Sequence, residues 1–174
     1  MDIPLAISIL AVLVAALSAL YARQSRQAAD SALVYQVLVN ALMEYRSAEM
    51  FVAVRSLWRF AREHPNDIAE AYKAQRLKDA LHVETLAPVQ RLDFERTTIH
   101  YQRRLVSQFY ALLAGLKEQG LPSRKIIYSH WTEPDLRIIP QVLIPTEETL
   151  LDALSNPVPP TLTRLRKLYE DCPK

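Results

Sequence analysis

The chain has 174 residues, half of them apolar and 23% charged, with a formal net charge of +2. This is enough for one ordinary domain and an anchor; it excludes a disordered chain, and net charge alone points to neither nucleic acid nor an acidic partner. Two glycines in the whole chain cannot supply the tight turns of a sheet-rich fold, a phosphate-cradling loop or a serine nucleophile elbow, so the expected fold class is all-α.

The first element is an apolar span. Residues 3–22, IPLAISILAVLVAALSALYA, carry no charge over twenty positions. As a helix they would measure about 30 Å, the hydrocarbon thickness of a bilayer. A cleavable signal peptide would start with basic residues and have a shorter apolar core, whereas here only Met1-Asp2 precedes the stretch. Residues 1–22 are therefore expected to be a transmembrane anchor. Arg23 and Arg26 follow the span and Asp2 precedes it. Basic residues stay inside, which predicts a single-pass protein of the cell (inner) membrane with its N-terminus outside and its C-terminal domain cytoplasmic. Ala11, Ala15 and Ala19 recur every four residues, a spacing that permits close helix approach in the membrane as well as being common in such helices.

Residues 23–155 form the expected helical domain. From Arg23 to His64 there is neither proline nor glycine. Polar residues (Gln36, Asn40, Glu44, Ser47, Arg55, Arg59, Arg62) recur at helical spacing, with Val34, Leu38, Tyr45, Val52 and Leu57 on the other side. This predicts one long amphipathic helix of about eleven turns. Its apolar side must be covered by other helices or a second subunit. Asp67 and Glu70 suggest a capping box for a helix to about Leu86 that packs through Ile68, Tyr72, Leu77 and Leu81. A third helix is expected from Asp93 to Gln119, with Tyr101, Leu105, Phe109, Leu112 and Leu116 as its apolar stripe and Gly120 as a left-handed C-cap. Ser123 should cap a short helix carrying Ile126, Ile127 and Trp131. Prolines cluster from Pro122 onward, so later helices should be short, one of them capped by Thr146 and running to about Leu154. Residues 156–160, NPVPP, read as a rigid linker, and 161–174 as a short basic helix.

The run Arg103-Arg-Leu-Val-Ser-Gln-Phe-Tyr110, followed by Leu116, Gly120, Ile126-Ile-Tyr128 and Trp131, resembles a family of uncharacterised bacterial single-pass membrane proteins with a helical cytoplasmic domain of unknown function. The resemblance covers roughly residues 35–150. It implies a helical fold at a bacterial membrane and carries over no catalytic residue.

Chemistry-bearing patterns are sparse. His64, His82, His100 and His130 have no second histidine three to five residues away, and the single cysteine, Cys172, is remote, so neither a metal site nor a cofactor is expected. His100 shares a helix face with Arg96 and Arg104, beside Arg103; an acid–base role there would need a pocket and a shifted pKa, so the expectation is a solvated or ion-paired helix surface, with His100, Arg103 and Arg104 joining Arg55, Arg59 and Arg62 as the candidate interaction surface. Arg55, Arg59 and Arg62 form the densest basic face, suited to ion pairs within the protein or to an acidic protein partner. On one straight helix Arg62 would stand about 60 Å from the membrane. Lipid contact is instead assigned to Arg23, Arg26 and the terminal Arg164, Arg166 and Lys167, at about 1 kcal/mol per basic residue near an anionic surface. The expected role is a non-enzymatic, membrane-tethered interaction or scaffold protein that self-associates through the span and long helix. Two other readings stay open: an accessory subunit of a membrane complex, and an enzyme or ligand-binding module acting on a membrane-derived substrate at residues 95–104. The partners expected are the bilayer, a second copy and an unidentified protein, with no nucleic acid.

Overall fold

One helix, α1, runs unbroken from Ile3 to Tyr45 in the computed structural model, so the apolar segment and the amphipathic helix after it are continuous. Pro4 is harmless in its first turn, where the backbone N–H has no helical acceptor. The structure describes residues 3–120, 122–152 and 159–173; for residues 3–14, 16 and 152 it describes the backbone alone. Among the described residues no helix is long and apolar enough to cross a membrane. Most side chains of the expected span lie outside that set. The chain forms two units, Met1–Asn40 and Ala41–Lys174. The first is helix throughout its described part, with Arg23, Arg26, Leu33 and Tyr35 exposed along it.

The second unit is all-α, and among the described residues no strand occurs. The helix expected to reach His64 stops at Tyr45. Ser47 takes an extended conformation (φ −62°, ψ 150°) and its Oγ accepts the Met50 N–H at 3.1 Å, starting a new helix, α2, Ala48–Glu63. A serine side chain offers the backbone this alternative to helix continuation. The break frees α2 to bury Met50, Ala53, Leu57 and Phe60, while Phe51 and Val52 remain exposed. The straight-helix height of Arg62 therefore loses its basis.

Helix α3 is Ile68–Thr85. Asp67 makes no side-chain cap and instead faces His64 at 3.7 Å, so the expected capping box is absent. Only Tyr72 is buried; Leu77 and Leu81 point outward, contrary to the packing expected of them. The single helix expected over residues 93–119 is two, α4 Pro88–Thr97 and α5 Ile99–Glu118. Thr98 separates them: its hydroxyl donates to the Glu95 carbonyl at 2.7 Å and accepts the Tyr101 N–H at 3.2 Å. The buried face of α5 is also rotated from the expected stripe. Val106, Phe109, Tyr110 and Leu113 are buried together with Arg103 and Ser107, and Leu112 is exposed. Two polar residues on the core face hid its phase. Gly120 has φ 71°, the left-handed ending expected.

Helix α6 is Arg124–His130, with Ser123 at its N-cap position making no side-chain bond. Helix α7, Glu133–Leu136, starts in a reciprocal Thr132–Asp135 capping box. A π-helical turn, Ile139–Leu143, leads directly into α8, Ile144–Asp152. Thr146 is therefore no cap: it lies inside α8, buried, and donates to the carbonyls of Val142 (2.7 Å) and Leu143 (3.0 Å). Residues 153–158, which hold most of the expected linker and the expected end of that helix, lie outside the described residues. Helix α9 is Pro160–Glu170, opening on proline rather than after it.

Helix α5 is the hub, touching α2, α3, α4, α6 and α9, and α8 packs on α3 and α9. Its Phe109 ring stacks on Tyr45 (5.4 Å between centroids) and meets Trp131 at 5.9 Å, with Trp131 wholly buried. Offset and edge-on aromatic pairs of this kind add about 0.5–1.5 kcal/mol beyond area burial. The terminal helix is part of the same unit, because Leu162, Leu165 and Leu168 are buried. Lys117 Nζ binds the Lys167 carbonyl (3.1 Å) and Asp171 Oδ2 (2.5 Å), and Tyr128 donates to the Leu168 carbonyl at 2.8 Å. A cation at these C-terminal carbonyls also favours the helix dipole.

Candidate functional site

Two places bring chemistry-bearing side chains together. The first is a groove on α2. Phe51, Arg55, Trp58 and Arg62 are spaced i, i+4, i+7, i+11, which puts them in one stripe opposite the buried Met50–Phe60 face. Pro134 and Arg137 from α7 and its C-cap, with Gln141 from the π turn, form the other wall. Together with Val54 they enclose about 620 Å³. Four apolar residues and three arginines line it, and no carboxylate is among the lining residues. Arg137 is held by Glu133, with its Nε 2.8 and 3.0 Å from the two carboxylate oxygens. Arg55 and Arg62 are exposed and make no ion pair among the described residues.

The structure thus gathers part of the basic face expected from sequence. Arg55 and Arg62 share the groove, while Arg59 turns into a separate cleft beside Phe60, Gln75 and Phe94. Trp58 and Arg137 were not singled out from sequence. The four-and-three spacing from Phe51 to Arg62 was a usable signal for Trp58. Nothing local signalled Arg137, which arrives from 75 residues beyond Arg62 through the fold.

The second place is a buried polar node where α3, α5 and α8 meet. Arg103, 4% exposed, forms an ion pair with Glu147, which also accepts the Ser107 hydroxyl at 2.6 Å. The guanidinium carbon lies 5.7 Å from the centre of the Tyr72 ring, close enough for a cation–π contact. Arg103 Nε is buried without a partner among the described residues. Tyr72 OH lies 2.6 Å from His100 Nδ1. Burial, then the charges of Arg103, Arg76 and Arg104, hold the His100 pKa at about 4, so the ring is neutral at pH 7. Burial raises the Tyr72 pKa, which keeps its phenol protonated. With the imidazole proton on Nε2, Nδ1 accepts the phenol hydrogen. A cleft of about 500 Å³ lies alongside, lined by His100, Arg104 and Arg76 together with Glu95, Glu84 and Asp79. Three carboxylates beside two arginines give this cleft no net preference for anions.

Of the sequence-expected cluster, His100 and Arg104 line that cleft, whereas Arg103 is buried in the node. The node's pairings were missed from sequence: Tyr72 and His100 are 28 positions apart, and Ser107 and Glu147 are 40 apart, so each pair meets only after folding. The other histidines lie apart: His64 rests on Phe60, His82 on Phe94 and His130 against Trp131. Among the described residues no group of three or more His, Cys, Asp or Glu could hold a metal ion. In α9, Arg164 pairs with Glu118 and Arg166 with Glu148, leaving Lys167 exposed without an ion pair among the described residues. No family model, curated protein or solved structure matches this chain.

Proposed function

We propose that this chain is a membrane-tethered, non-enzymatic interaction protein that presents the α2 groove to a protein partner. The observation carrying this reading is the groove itself: Phe51, Val54, Trp58 and Pro134 line it together with three arginines, and no carboxylate is in its lining. Tryptophan and arginine are among the side chains that most often dominate binding energy at protein interfaces. The tether rests on the uncharged residues 3–22 and on the unbroken helix that begins at Ile3. Arg23 and Arg26, immediately after those residues, favour a folded unit on the cytoplasmic face of the inner membrane. Leu33, Tyr35 and Val39 are exposed on α1, apolar surface that a second copy of this helix would cover. Two results test the reading. The protein should stay with membranes through carbonate washing, and Arg55→Glu/Arg62→Glu should reduce the mass of the complex isolated in mild detergent. Release by carbonate or an unchanged complex would overturn it.

A second reading rests on the cleft beside His100 and the Tyr72–His100 bond: a ligand-binding or enzymatic module acting on a membrane-derived substrate. His100→Ala/Arg104→Ala abolishes the cellular activity of the chain if that reading holds; full complementation of a deletion strain by this variant removes it.

A further inference from the structure

We infer that the occupant of the α2 groove is an acidic amphipathic helix from a protein partner, bearing carboxylates two turns apart on either side of an apolar residue. The inference rests on the interaction-protein reading and names the partner's chemistry. Arg55 and Arg62 are seven residues apart, which on a helix is about 10.5 Å along the axis and about 20° around it. Trp58 lies between them on the same stripe. A partner helix with acidic residues at i and i+7 carries its charges at the same interval, so both ion pairs form in one register while an intervening leucine or phenylalanine meets Trp58 and Phe51. Phe51 is 63% exposed, a large apolar surface at the end of the stripe. Arg137 faces the same groove from the opposite wall, and its charge is already countered by Glu133.

The alternative anionic surface, a lipid bilayer, matches the charge but not the shape. A planar array of headgroups has no reason to prefer a groove lined by an indole over the arginines elsewhere on the protein. A helix laid in a groove does, because its anchors recur at the interval of the groove's own side chains. Exposed ion pairs contribute little individually, so most of the affinity comes from covering Trp58 and Phe51, and the arginines set register and orientation.

The test uses the full chain in neutral nanodiscs and a fluorescein-labelled synthetic helix, rich in alanine and leucine, with glutamates two turns apart flanking one leucine. Binding is read by anisotropy and by a blue shift of Trp58 emission. We expect saturable binding, weakened at least tenfold by Trp58→Ala or by Arg55→Glu/Arg62→Glu, and weakened by salt. Trp58→Phe removes the emission shift while retaining binding. Far-UV circular dichroism of each variant checks that these substitutions leave the fold intact. A peptide of the same composition with its glutamates on opposite faces should bind at least fivefold less well. Equal binding of the two peptides, no binding of either, or Arg55- and Arg62-dependent capture of phosphatidylglycerol vesicles in place of the peptide would each overturn the inference. A photo-crosslinker in the groove distinguishes this failure from that of the underlying reading: protein adducts without peptide binding refute the acidic helix alone, and absence of both refutes the groove as an interaction site.

Discussion

Replacing Glu147 by alanine leaves the Arg103 guanidinium buried without its counter-charge, and the size of the effect follows from the geometry. Arg103 has a side chain 5% exposed, and Glu147 one 22% exposed. Breaking a fully buried pair costs about 3–5 kcal/mol; water entering from the exposed Glu147 side should reduce this to about 2–3 kcal/mol. The Ser107 hydroxyl also loses its acceptor. For a chain of this size that lowers the melting temperature by roughly 5–10 °C. The assay is urea unfolding of the full chain in mild detergent, following the fluorescence of the buried Trp131 in a Trp58→Phe background. Arg103→Met should cost less than Glu147→Ala, because the carboxylate it leaves behind reaches water. The double variant Arg103→Met/Glu147→Leu should be more stable than Glu147→Ala alone, since it removes the charge that had no partner. If Glu147→Ala falls within about 0.5 kcal/mol of the parent, the node does not hold α5 to α8 as described.

Other outcomes follow from single contacts. Ser47→Ala and Thr98→Ala each remove a helix N-cap and should cost about 1 kcal/mol in the same assay. Gly120→Ala meets no neighbouring atom within 4 Å, so any loss, about 1–2 kcal/mol, comes from its φ of 71° alone. His100 has a folded pKa of about 4 against 6.5 unfolded, so the unfolded chain binds the extra proton between those values. Stability should therefore fall as the pH drops from about 6.5 to 4, by about 1–2 kcal/mol after allowance for the half-exposed ring, and be fully retained above 6.5. His100→Gln should flatten that part of the pH profile; an unchanged profile would show that the burial of His100 is not its cause.

The helical class and several helix ends were legible because they rest on local rules: glycine scarcity, the Gly120 C-cap, and proline crowding after Pro122. The breaks at Ser47 and Thr98 were not, although both residues are good N-caps. Neither is marked by glycine or proline, and only the packing of α2 and α5 selects capping over helix continuation. The core face of α5 was misjudged for a related reason. Arg103 reads as a surface residue until Glu147 and Tyr72, supplied by other helices, meet its guanidinium. The groove was half legible, since Arg55 and Arg62 lie within one helix and Arg137 does not.

The most direct test of the account places benzoylphenylalanine at Gln141, in the groove wall, and at Thr163, on the exposed side of α9, in the intact protein irradiated in living cells. The groove position should yield a discrete adduct with another protein that disappears with Arg55→Glu/Arg62→Glu, while the α9 position yields none. Equal labelling at both positions, or none at Gln141, would contradict the groove as the working surface of this protein.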